Sequence, residues 1–112
     1  MIEELYKEFM DSRFNDGPNY HPGTGSHEWW DIKTDYELRS MDVAGAVSYW
    51  KVGKLNEVDL PKNQNDLKLF QSRLLSYKPK DDVEKQEKTL ISERVEIGLK
   101  IFEELIKVNK II

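Results

Sequence analysis

Hydrophobic positions recur at helical spacing along most of this chain. Ile2, Leu5, Tyr6, Phe9 and Met10 share one face, opposite Glu3, Glu4, Lys7 and Glu8, which predicts an amphipathic helix over 2–13. Asn15-Asp16-Gly17-Pro18 ends it, because proline brings no amide hydrogen and glycine no helical preference. A polar loop over 15–28 follows. Between 29 and 38 two periods compete. Trp30, Ile32, Thr34, Tyr36 and Leu38 alternate as in a strand or hairpin arm, whereas Trp29, Ile32 and Tyr36 fit a helix. On pattern alone both stay open.

Val43, Ala44, Val47 and Trp50 predict a short helix over 41–52, capped by Ser40 or Asp42. Gly53 suits its end, where a left-handed backbone is least costly without a Cβ. The small residues Ala44, Gly45 and Ala46 would let another element come close. LNEVDLPKN reads as a connector stopped by Pro61. Leu67, Phe70, Leu74 and Tyr77 then mark a helix over 65–77, capped by Asn63 or Asn65 and broken by Pro79. Asp81 and Glu84 have the spacing of a capping box.

The segment 82–109 is the longest predicted helix. It is polar through Lys88, and then Leu90, Ile91, Val95, Ile97, Leu99, Ile101, Phe102, Leu105, Ile106 and Val108 cover more than half the circumference. Such a helix is central to the fold or pairs with a second copy. Ile97, Ile101, Phe102, Leu105 and Val108 are the face expected to meet a protein partner or a homo-oligomer. Gly98 costs about 1 kcal/mol against alanine in mid-helix, so a closely packed neighbour is expected there. The expected fold is mainly α: a small single-domain helical fold over 1–112 with a long apolar C-terminal helix. A minor strand or hairpin around 29–38 is its variant.

Composition narrows the chemistry. At 112 residues and 38% hydrophobic content the chain can fill a small core, so it is not read as disordered. The absence of cysteine removes disulfides, thiolate metal sites and cysteine nucleophiles. A net charge of -4 gives no basic footprint, so direct nucleic-acid binding is not expected. The N-terminus has no secretory pattern, and no apolar run reaches the ~20 residues of a membrane span. Cytoplasmic localisation without a membrane partner is expected.

The stretch YHPGTGSHEWWD at 20–31 concentrates both histidines and two of the three tryptophans. His21, His27, Glu28 and Asp31 are metal-ligand types, but HEWWD lacks the second histidine of a zinc-protease helix, so no metal is assigned. GTGS would cradle a phosphate on its amides, yet lacks the lysine ending of a P-loop. Trp29 and Trp30 must diverge by ~100° on a helix or to opposite faces on a strand, which leaves one ring for a surface or pocket. Glu4 and Glu8 sit one turn apart without the second carboxylate pair that a magnesium-dependent pyrophosphohydrolase needs. No serine stands in a GxSxG context, and no catalytic residues are assigned.

From Gly25 onward, GSHEWWDI, AVSYWKVGKL at 46–55 and NDLKLFQSRLLSY at 65–77 resemble a family of small phage proteins. Those proteins carry a PSHY motif, a segment like N-x-x-KY-x-x-RAGKK and a helix like DL-x-KA-x-x-YL-x-x-L. Ser26 and His27 match the SH pair; Tyr49, Lys51, Gly53 and Lys54 fall in the second segment; Asp66 and Leu67 open the helix. The chain departs from the pattern at Gly25, Glu28, Ser48 and Lys51. One member of the family is a nucleoside monophosphate kinase.

Two functions from different classes follow. The first is a phage or mobile-element accessory protein of the host-takeover or inhibitor type, acting by protein–protein interaction without catalysis or cofactor. The alternative is nucleotide binding or phosphoryl transfer with magnesium, using Gly23–Ser26, Lys51 and Lys54 on phosphates and Trp29 or Trp30 on a base. His21, His27, Trp29, Trp30, Asp31, Lys51 and Lys54 are the candidate binding residues. A third reading, an acidic inhibitor of a nucleic-acid-binding defence system, needs carboxylates gathered on one face.

Overall fold

A computed structural model describes residues 1–10 and 25–111. Four α-helices follow one another: α1 Ile2–Phe9, α2 His27–Lys51, α3 Leu60–Ser76 and α4 Asp82–Ile111, with a 3-10 turn at Leu55–Glu57. Among the described residues there is no strand. The mainly α expectation holds. The variant of a strand or hairpin at 29–38 is overturned, because that segment and the predicted short helix at 41–52 form one helix of 25 residues.

Local chemistry explains the boundaries. Ser26 caps α2, its side chain accepting from the Trp29 amide, which displaces Ser40 and Asp42 to mid-helix. At the other end Gly53 takes φ +74, its amide donating to the Trp50 carbonyl while Lys54 donates to Tyr49. These two bonds satisfy the Trp50 and Tyr49 carbonyls in the last turn of α2. Asp59, not Asn63 or Asn65, caps α3 by accepting from the Lys62 amide. Pro61 therefore opens that helix instead of stopping the connector: its ring presets φ, and no intrahelical amide is needed in the first turn. At the start of α4, Asp81 accepts from the Glu84 amide at 2.8 Å, which is half of the expected capping box. The Glu84 side chain does not complete it.

The core runs along α4, whose 30 residues at 1.5 Å each account for the 47 Å length of the molecule. Against it pack Ile2 and Phe9 of α1, Trp29, Ile32, Tyr36, Val43 and Val47 of α2, and Leu67, Phe70 and Leu74 of α3. Ile101, Phe102 and Leu105 are fully buried in this core. They were expected on an interface, but the chain's own helices cover them. Ile97 and Val108 are partly buried and pack against the same core. Gly98 shows the close approach its position implies: a Cβ there would lie 3.1 Å from Leu67, 3.3 Å from Val43 and 3.4 Å from Phe9. No helix among the described residues is long and apolar enough to cross a membrane.

Candidate functional site

Two features rise above ordinary helix packing: a buried polar cluster at one end of the bundle and an uncovered apolar face on α2. The cluster joins α2 to α4. The Trp29 indole Nε1 donates to Glu87 at 3.0 Å, and Lys33 Nζ reaches both Glu87 oxygens at 3.3 and 3.4 Å. Trp29, Lys33 and Glu87 are all buried. One turn earlier on α4, Glu84 accepts from the Tyr77 hydroxyl at 2.6 Å, the Ser26 amide at 2.9 Å and the Lys80 amide at 3.0 Å. Burial pushes the Glu84 carboxyl up, but these hydrogen bonds outweigh it and hold the group at about 2. Burial, reinforced by the Glu84 contact, raises Tyr77 above its ordinary value. Tyr77 also stacks on Trp29 with ring centroids 5.0 Å apart.

This cluster is closed. A groove of about 690 Å³ runs over the outer side of α4 past Lys80, Lys85, Thr89 and Glu93. Neither Glu84 nor Glu87 lines it, so no substrate reaches either carboxylate from there. Gly25 tightens the seal: it takes φ +91, which proline cannot adopt, and a Cβ on it would come within 2.7 Å of the Trp29 ring. The cluster locks the N-terminus of α2 and the end of α3 onto α4.

The expected binding residues scatter. Trp29 is buried and hydrogen-bonded, so it offers no stacking platform, a correction to the expected role of that ring. Trp30 is the exposed one of the pair, at 42%. His27 stacks on Trp30 and lies 3.7 Å from Asp31 in an exposed pair. His21 and most of the GTGS turn fall outside the described residues. Lys51, over the Tyr6 ring at 5.3 Å, and Lys54 stand at the opposite end of α2, about 32 Å from Trp30 along the helix. One nucleotide cannot touch both groups. No set of three or more histidines or carboxylates that could hold a metal ion occurs among the described residues.

The uncovered face lies on α2 itself. Trp30, Leu38, Met41, Tyr49 and Val52 are between 42% and 68% exposed. At 100° per residue they fall within about one-third of the helix circumference. Toward α3 the stripe is bounded by charge: Arg39 reaches Asp66 at 3.4 Å, and Asp35 accepts from Arg73 at 3.2 Å. Apolar side chains thus occupy both the inner and outer faces of α2, unlike a helix that serves only one core. Sequence periodicity placed the surplus apolar face on α4; the structure buries that one and leaves this one open. Comparison with family models, with curated proteins and with solved structures finds no match to this chain.

Proposed function

We propose that this chain is a small accessory protein that acts by binding another protein surface, without catalysis of its own. The observation supporting this reading is the outer face of α2, where Leu38, Met41 and Val52 are more than half exposed on one stripe. Contiguous apolar surface of this kind is costly in water and marks recognition sites. The resemblance of GSHEWWDI and AVSYWKVGKL to small phage proteins supports placing it among host-takeover or inhibitor proteins of a bacterial cytoplasm. The closed polar cluster and the 32 Å separation of Trp30 from Lys51 leave the nucleotide alternative without a site that the described residues assemble.

Photo-crosslinking in the cells that make the protein tests the proposal. A benzophenone side chain at Met41 is expected to give protein adducts, whereas one at Lys100, exposed on α4, gives none. Absence of any adduct through Met41 overturns the reading.

A further inference from the structure

The outer face of α2 has a period more regular than general stickiness requires. Thr34, Leu38, Met41, Gly45, Ser48 and Val52 follow one another at spacings of four and three, the alternation of a coiled-coil seam, over about 27 Å of helix. All are exposed except Gly45, which is partly so for want of a side chain to expose. A seam of this period calls for another helix.

Gly45 is the second observation. Gly98 is explained by the three side chains packed against it, but a Cβ on Gly45 would meet nothing within 4 Å. Nothing among the described residues compensates the helix-weakening effect of that glycine, which in an exposed mid-helix position favours replacement by alanine. Close approach from outside supplies the missing reason.

We infer that the seam pairs with the same seam of a second copy, the two α2 helices running antiparallel. This rests on the interaction reading above and specifies its partner. Charge and side-chain size select the arrangement. Glu37 and Lys51 stand fourteen residues apart on one edge of the stripe, both exposed. An antiparallel copy sets each Glu37 beside the other copy's Lys51, whose ammonium also lies over the Tyr6 ring, so opposite charges face each other at both ends of the seam. The same register sets Met41 against the second copy's Gly45, Leu38 against its Ser48 and Val52 against its Thr34, so a large side chain meets a small one in every layer. Asp42 then approaches its own counterpart, but each is already paired with Arg39 at 3.5 Å. A parallel arrangement would instead stack Leu38 on Leu38 and leave Gly45 facing Gly45 across a void.

The chain has no cysteine, so introduced ones report without background. The L38C/S48C double variant is expected to run as a covalent dimer after mild oxidation, while L38C alone and S48C alone stay single. Wild type should sediment with the mass of two chains at high concentration. M41E should sediment as one chain, weakening association at least tenfold with little change in thermal melting, since Met41 is 68% exposed. Efficient linkage of L38C alone overturns the antiparallel arrangement. Wild type sedimenting as one chain, with L38C/S48C unlinked, overturns self-pairing. If Met41 then still crosslinks to a different protein, the interaction reading stands without this inference. If it crosslinks to nothing, both fall.

Discussion

The Trp29 indole nitrogen and the Glu87 carboxylate are 58 positions apart in sequence and 3.0 Å apart in the fold. With Lys33 on the same carboxylate, this contact joins the first turns of α2 to the first turns of α4, where α4 is mostly polar. Hydrophobic packing takes over farther along, from Ile91 to Leu105. The bundle is thus stabilised differently at its two ends: by paired charge and hydrogen bonds at one, by close-packed apolar side chains at the other. Only the first is sensitive to acid.

Lys33 and Glu87 form a buried ion pair, and removing one member leaves the other's charge under-compensated in a poorly solvated place. Lys33→Met should destabilise the protein by about 3–5 kcal/mol. Replacing both, as Lys33→Met with Glu87→Leu, should cost clearly less than the sum of the single changes, because no bare charge remains. Urea unfolding of the three variants measures the coupling. Additive losses would show that the two side chains do not depend on each other.

Glu84 sets the response to acid. Its folded-state value of about 2 lies below the ordinary 4.5, so the unfolded chain binds the proton more readily. The stabilisation is therefore complete above about pH 4.5 and fades as pH falls toward 2, amounting to about 3 kcal/mol at neutrality. Glu84→Gln should be less stable than wild type at pH 7, and the gap should close across that acidic window. Parallel curves for the two proteins between pH 5 and 2 would contradict the assignment.

Why the sequence displayed one part of this and concealed the other follows from particular residues. The Gly53 terminus, the Gly98 contact and the divergence of Trp29 from Trp30 were legible because each depends on neighbours a few positions away or on one backbone preference. The segment 29–38 was not, because α2 carries apolar residues on its buried side and on its outer side. Two such stripes on one helix imitate the alternation of a strand. Pro61 is ambiguous in sequence, since a proline stops a helix from inside and starts one from its first turn. Glu84 and Glu87 lie in a run that reads as solvated surface; Tyr77 beside Glu84, together with Ser26, Trp29 and Lys33 brought from more than fifty positions away, gives them a buried role. The candidate surface escaped notice for a related reason: α4 has the most apolar residues, but α1, α2 and α3 cover its apolar faces and leave its polar side exposed.

The paired tryptophans should separate by spectroscopy. Trp29→Phe removes a buried hydrogen bond to a carboxylate and should cost about 1.5–3 kcal/mol beyond its packing loss. Trp30→Phe should change stability by less than about 0.5 kcal/mol, since the ring is 42% exposed. Acrylamide quenching should fall in Trp30→Phe and rise in Trp29→Phe. The reverse order would exchange the two rings' environments.

Gly45 and Gly98 make the sharpest contrast, since the same substitution acts on them in opposite directions. Alanine is the better helix former at both by about 1 kcal/mol. At Gly45 the new methyl group enters open space, so Gly45→Ala should stabilise the isolated chain by nearly that amount and raise its melting temperature. At Gly98 the methyl meets Leu67, Val43 and Phe9 at 3.1 to 3.4 Å, and strain of about 1–3 kcal/mol cancels or exceeds the gain. Gly98→Val should be worse again, adding β-branched bulk to the same crowded spot. Thermal melts at low concentration compare the three variants. Gly98→Ala stabilising as much as Gly45→Ala would mean that the helices are not packed as closely around position 98 as the distances state.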